Sequence, residues 1–583
     1  MSFRLSRLAA TCGALALALA AACSSDPVAP PDSTGAIPHP RGPFTIGQLV
    51  SLNVNGEVSC ASPVYHTAQV VAIGTHAIVL NDTLNPKGGF TTADYQRYAA
   101  RFDTLVYPVD VSNFGEPTDI DKNGHIAILF TRAVNELTPA RSAQYVGGFA
   151  FSRDLFPTTA TARAQACAAS NEGEFFYMLT PDPLGTINGN VRSAGFVDSA
   201  TTAVLAHEFQ HIINSSRRLY VNNTPAFEEK WLDEGLAHMA EELLFYRESG
   251  LVPRSNLDLA AIRATNAIRE NYNSDMSGNG GRYKTYLLAP STSSPYSPND
   301  SLSTRGAAWS FLRYAVDRMN ATDGFAPGNG QVVSGAGNVV LSPGATQGEY
   351  SLTVVNTSLT GGTQATYSLS GVPAPGAAAI AASAFQAPRF NMLAAPTPQG
   401  LQRDAQREPR LRDRERADLT PMMGVARRWY ATQRIAPPAA LRSRFSLSAS
   451  PQGDADAAIF YKLVNSTPVG MANLQAAITD VPGMLRDWSV SHAVDDVAAP
   501  ATQYQQRSWN WHSIYPGLTF PSSTYPLAVT TIPTNATVTG ATVVAGGAGF
   551  YKVVVPANGS ATFTLSNGTT SNPSLQLVAV RIK

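Results

Sequence analysis

The sequence predicts an α+β domain with a mainly helical C-terminal part, plus two small all-β sandwich modules. Apolar strand runs and a helical pattern alternate between Ile46 and Phe130. Two further helical patterns, Ala200 to Ile213 and Trp231 to Glu242, lie close together in the chain. From Pro327, and again from Leu527, turns rich in Gly and Ser separate short strand patterns, as in small sandwiches. At 583 residues the chain is too long for one core, because single domains cluster near roughly 100–200 residues.

Charged residues are 14% of the chain, against roughly 25% in an ordinary soluble domain, and the 42 basic residues are cancelled by 42 acidic ones. No domain-sized basic face follows from such a balance. A phosphate backbone would find no electrostatic footprint, so nucleic acid is excluded as an expected partner.

Residues 1–22 have the parts of an export signal: Arg4 and Arg7, the apolar run Leu8 to Leu19, then small residues up to Ala22. Cys23 follows directly, with Ser24, Ser25, Asp26 and Pro27 after it, and this junction resembles the lipobox of bacterial lipoproteins. Ser24 resembles the outer-membrane sorting pattern. The expected location is therefore the bacterial outer membrane or cell surface through a lipid anchor at Cys23, or otherwise secretion. No later run of 18 apolar residues exists, so the anchor is the expected membrane contact. Residues 23–45 read as a flexible tether rich in Pro, Ser and Ala. Cys60 and Cys167 remain in the mature body, and a lone pair in an oxidising compartment reads as one disulfide.

The folded unit expected over 46–326 begins with strand runs at Val70 to Ile73 and Ala77 to Leu80. A helix from Thr92 to Leu105 follows, opened by Thr91 and Asp94. Asp119-Ile120-Asp121-Lys122-Asn123-Gly124 then leads into the strand Ile126 to Phe130. Asp119, Asp121 and Asn123 place three oxygens at alternate positions before a turn glycine, as a Ca2+ loop begins. Phe130 stands where an EF-hand needs its closing Glu. The alternatives are an Asx-rich turn or a partial Ca2+ site completed from elsewhere.

Ala206-His207-Glu208-Phe209-Gln210-His211 carries the strongest signal. Four residues apart on a helix, His207 and His211 share a face and can hold one Zn2+, while Glu208 flanks the place of an attacking water. Three patterns compete for the third ligand. A metzincin continuation needs Gly and His at 214 and 217, where the chain has Asn214 and Arg217. A second helix, Trp231-Leu232-Asp233-Glu234-Gly235-Leu236-Ala237-His238, can return Glu234 to the metal. A three-histidine site would use His238. On the second helix His238 lies one turn after Glu234, where it can orient a ligand or steady an oxyanion. Asp233 and Glu241 are candidate partners of the ligands, and Tyr283 and Tyr286 candidate transition-state donors.

These residues resemble the gluzincin metallopeptidases, whose third zinc ligand is the Glu of a W-L-x-E-G segment. Phe114 to Phe130 and Gly147 to Phe156 narrow the resemblance to the hyicolysin-type neutral metallopeptidases, over about residues 46–325 and 455–516. It implies an α+β zinc metallopeptidase (zincin) catalytic domain. It also implies one catalytic Zn2+ held by His207, His211 and Glu234, with Glu208 as general base. Protein or peptide substrates and a monomer are expected.

Residues 327–450 read as an inserted β module with a charged linker, in which Arg403 to Asp418 forms a salt-bridged helix. Apolar residues at helical spacing from Phe460 to Trp488 then predict a helical continuation of the peptidase over 451–516. Trp509 and Trp511 are expected to pack in a core. Residues 517–583 read as the second β module. Two functions follow: an exported zinc endopeptidase, or a surface adhesion or binding lipoprotein with a degenerate peptidase domain.

Overall fold

The computed structural model describes residues 43–57, 59–160, 165–224, 226–321, 331–360, 364–371, 451–494, 507–516, 537–567 and 574–581. The signal, Cys23, most of the tether and the Arg403 to Asp418 segment lie outside them.

The first unit is a six-stranded sheet covered by helices. Its strands are β1 (Leu49–Asn53), β2 (Tyr65–Ile73), β3 (Ala77–Asp82), β4 (Ile126–Phe130), β5 (Gly148–Ala150) and β6 (Phe175–Met178), in the order β1-β2-β3-β4-β6-β5. β3, β4 and β6 run parallel, and β5 returns antiparallel along the edge. The central strand β4 is buried throughout, as a parallel strand covered on both faces must be. Ile126, Ile128 and Phe130 point into the larger core beneath the helices, while Ala127 and Leu129 enter the core on the opposite face.

Helix α1 (Thr92–Arg101) begins with the expected capping box between Thr91 and Asp94. A π-helical turn over Phe102–Val106 joins it to α2 (Tyr107–Phe114), so the predicted helix continues past Leu105. Helix α3 (Ala194–Tyr220) is 27 residues long, begins six residues before the expected Ala200 and is capped by Ser193. The Ser193 hydroxyl accepts from Phe196 N, which satisfies one of the donors left free at the helix start. Helix α4 (Lys230–Ser249) stops at Gly250, whose φ of 67° is the left-handed conformation glycine adopts without strain. Helices α5 (Ser277–Leu288) and α6 (Leu302–Met319) complete this part.

Helices α7 (Pro451–Val464), α8 (Gly470–Ala477) and α9 (Val481–Val494) follow the expected periodicity. Phe460, Leu463, Leu474, Leu485 and Trp488 enter the same core as Phe209, Leu232 and Phe311. Trp509 and Trp511 are buried there too, with ring centroids 5.7 Å apart. Cys60 and Cys167 are disulfide-bonded.

The two β modules expected over 327–450 and 517–583 are one sandwich. β7 (Gln331–Ser334), β8 (Gly337–Leu341), β9 (Gly348–Asn356) and β10 (Gln364–Gly371) come from the first segment. β11 (Thr537–Val544), β12 (Ala548–Val555), β13 (Ala561–Asn567) and β14 (Leu575–Arg581) come from the second. The two sheets are ordered β11-β10-β13-β8 and β12-β9-β14-β7, so strands of both segments pair within each sheet. Val339, Leu352, Val354, Val553, Phe563 and Leu577 form a shared core. Period-two alternation reveals that each strand exists but does not encode its partner, which explains the expectation of separate modules.

Candidate metal centre

Helix α3 is buried on nearly its whole circumference, yet its second half carries His207, Glu208, Gln210, His211, Asn214 and Arg218 into the interior. Polar groups in that position need partners, and helix α4 supplies several. The four-residue spacing sets the His207 and His211 rings 4.9 Å apart. Glu234, in the second turn of α4, points at both. Its Oε2 lies 3.4 Å from His207 Nε2 and 4.0 Å from His211 Nε2. Tetrahedral donors about 2.1 Å from a common zinc lie roughly 3.4 Å apart, so these atoms are spaced to share one ion. His211 Nε2 and Glu234 Oε1 are buried without a hydrogen-bond partner, as ligand atoms would be without their ion. Two imidazoles and one carboxylate are a donor set suited to zinc.

The outer nitrogens of both rings are held by carboxylates. His211 Nδ1 lies 2.8 Å from Asp233 Oδ2, while Asn214 donates to the other Asp233 oxygen. His207 Nδ1 lies 2.7 Å from Glu241 Oε1. These contacts turn each Nε2 toward Glu234. Burial disfavours the charged form of His211, but Asp233 outweighs it and the net shift is upward.

His238 is placed with Glu241. Its Nδ1 is 3.1 Å from the same Glu241 Oε1 that meets His207, and its ring centroid is 4.7 Å from that of His207. Burial pulls its pKa down to about 3, against Glu241, which keeps the ring neutral. His207, His238 and Glu241 also form a compact donor group, but Glu241 bridges the two Nδ1 atoms within it.

Glu208 is fully buried, and burial pushes its carboxyl up to about 7, partly offset by His207 and His211. Edge strand β5 lies on this residue. A Cβ on Gly148 would stand 3.1 Å from Glu208 Cγ and 2.8 Å from Tyr177 O, so only glycine allows the approach.

Other nearby carboxylates, and the tyrosines expected as donors, fall elsewhere. Glu228 pairs with Arg218 at 3.2 Å, and Glu229 accepts from Trp231 Nε1. Tyr283 and Tyr286 are buried core residues, Tyr286 stacking on Trp488. Gly235 makes room for Leu312 of α6, whose Cδ1 would be 2.7 Å from an added Cβ. Sequence reasoning missed Arg305, whose Nη1 lies 2.9 Å from Glu234 Oε2 while its other nitrogens grip Asp300. Burial opposes ionisation of Glu234, but Arg305 and the two histidines hold its carboxyl well below the usual range. Nothing local in the sequence around Arg305 marks this contact, because α6 meets α4 only in the fold.

The fold and these donors define an α+β protein with a candidate metal centre between two helices. No family model matches the chain. Over 142 residues it is 30% identical to the neutral metalloprotease ShpI of Staphylococcus hyicus, a match spanning 24% of this chain and 29% of that protein.

Proposed function

We propose that the chain is an exported zinc-dependent endopeptidase with His207, His211 and Glu234 as metal ligands and Glu208 as general base. The observation that carries this reading is the convergence of Glu234 Oε2 on both histidine Nε2 atoms. The partial likeness to a neutral metalloprotease supports the same class. A zinc ion held by these three residues would supply Lewis-acid polarisation of the scissile carbonyl and make water easier to deprotonate at neutral pH.

The protein's own residues do the rest. Glu208, with a carboxyl raised toward neutrality by burial, takes a proton from the attacking water and delivers it to the leaving nitrogen. β5 is the last strand of its sheet, and an extended peptide added along its edge would pass over Glu208. Asp233 and Glu241 hold the ligand rings in register, and His238 steadies Glu241, a positioning role. Protein or peptide substrates, a monomeric state and a lipid anchor at Cys23 complete the reading. Among the described residues no helix is long and apolar enough to cross a membrane.

The test is zinc content together with hydrolysis of an unstructured protein such as casein. One zinc per chain, with turnover abolished by 1,10-phenanthroline and restored by zinc, is expected. A zinc-bearing chain that cuts no unstructured protein would overturn the reading in favour of a binding lipoprotein.

A further inference from the structure

A second group of carboxylates lies away from the zinc ligands, where the loop before β4 meets the residue before β6. One oxygen each from Asp119, Asp121 and Glu174 lies within 4.8 Å of the others. Asp121 and Glu174 are buried and Asp119 is exposed. Glu174 Oε1 accepts from Ile120 N at 3.0 Å and Thr118 Oγ1 at 3.1 Å. Its Oε2 is buried and meets no hydrogen-bond partner. Among the described residues, no lysine, arginine or histidine nitrogen forms an ion pair with Asp119 or Glu174. Burial, and after it the nearby Asp121 and Asp119 carboxylates, disfavour the charged form of Glu174, an unfavourable arrangement that a cation among the three would relieve.

We propose that Asp119, Asp121 and Glu174 form a second metal site, for a hard divalent cation of the calcium type. Oxygens at 2.3–2.6 Å from one calcium lie up to about 5 Å apart, which the spacing satisfies. The donors are all oxygen and all anionic, which favours calcium over zinc, while the exposed side at Asp119 leaves room for water ligands. Asn123, expected among the ligands, is used otherwise. Its Nδ2 donates to Asp121 Oδ2 and its Oδ1 accepts from His125 N, each at 2.6 Å. Glu174 takes its place from another part of the chain.

The cation would tie the loop to two neighbours. Thr118 N donates to Ser216 Oγ at 3.3 Å, near the end of the helix that carries His207 and His211. Gly173 N donates to Asp154 O at 2.8 Å, and an added Cβ at Gly173 would stand 2.9 Å from Asp121 Oδ2. Calcium there fastens the floor under helix α3 without touching the zinc donors.

The experiment uses the full chain, freed of calcium on a chelating resin, with zinc and calcium content measured alongside thermal unfolding. The wild type is expected to take up one calcium per chain at unchanged zinc content and to melt several degrees higher in calcium. Glu174→Gln keeps the acceptor for Ile120 and Thr118 but removes the charge. It should bind calcium at least tenfold more weakly, gain no thermal stability from it, and melt no lower than wild type in calcium-free buffer. Asp119→Asn, at an exposed position, repeats the test without disturbing the core and should also weaken calcium at least tenfold. A wild type that takes up no calcium, or variants that bind it as the wild type does, would overturn the proposal.

Discussion

Glu241 Oε1 stands 2.7 Å from His207 Nδ1, and through that one oxygen the imidazole is fixed before any metal arrives. The same oxygen is 3.1 Å from His238 Nδ1, so a single carboxylate restrains two buried rings. Burial works against its charge, but His238 and His207 hold the Glu241 carboxyl well below the usual range. A fixed, charged acceptor behind a ligand histidine raises the ligand's basicity and sets its tautomer.

Glu241→Ala should therefore weaken zinc by roughly 10- to 100-fold while leaving the helices folded. Zinc titration with a competing chromophoric chelator reads this directly. Unchanged affinity would mean that His207 is oriented by its packing alone.

Glu208→Gln keeps the size and hydrogen-bonding capacity of the side chain but cannot take up a proton at neutral pH. Zinc content is expected to stay at the wild-type level while kcat falls about a hundredfold or more. Near-normal turnover in this variant would remove Glu208 from the reaction.

The Cys60–Cys167 bond spans 107 residues and ties the loop after β1 to the segment before β6. Closing a loop of that length removes unfolded-state entropy worth on the order of 4 kcal/mol. The double Cys→Ser variant should unfold at clearly lower denaturant concentration, with zinc affinity little changed. An equal midpoint would show that the bond adds nothing to stability.

Glu228 gives a pH signature. Burial is the largest influence and pushes its carboxyl up to about 7, against the pull of Arg218 and the hydrogen bonds from Gly470 and Asn473. A folded-state pKa above the ordinary 4.5 means the native chain binds this proton more tightly than the unfolded chain. Its contribution is full below about pH 4.5 and is lost as pH rises through about 7. Glu228→Gln lacks that loss. Between pH 5 and 8 its stability relative to wild type should rise by on the order of 2 kcal/mol, read by urea unfolding. A constant difference across that window would contradict the assignment.

Much of the candidate centre was legible because its proposed ligands sit on two helices close in sequence. His207 and His211 announce themselves by their spacing, and Glu234 by its helix. Asp233 and Glu241 were readable as candidate partners of the ligands, but not which ring each one meets, since rotation about a helix decides that. Arg305 and Glu174 were not legible. One reaches Glu234 from a helix about 70 positions later, and the other reaches Asp121 from about 50 positions away, and no local pattern encodes such contacts. That short strands lie in both segments was legible from the turn-separated patterns after Pro327 and Leu527. Their pairing was not, because β10 and β11 are brought together across more than 160 residues of chain.

The third ligand decides the account. Zinc per chain, measured after dialysis, should fall to near zero in Glu234→Ala and activity with it, while His238→Ala keeps its metal and works poorly. If Glu234→Ala retains full zinc and His238→Ala loses it, the metal belongs to a three-histidine site and the arrangement argued for His207, His211 and Glu234 is wrong.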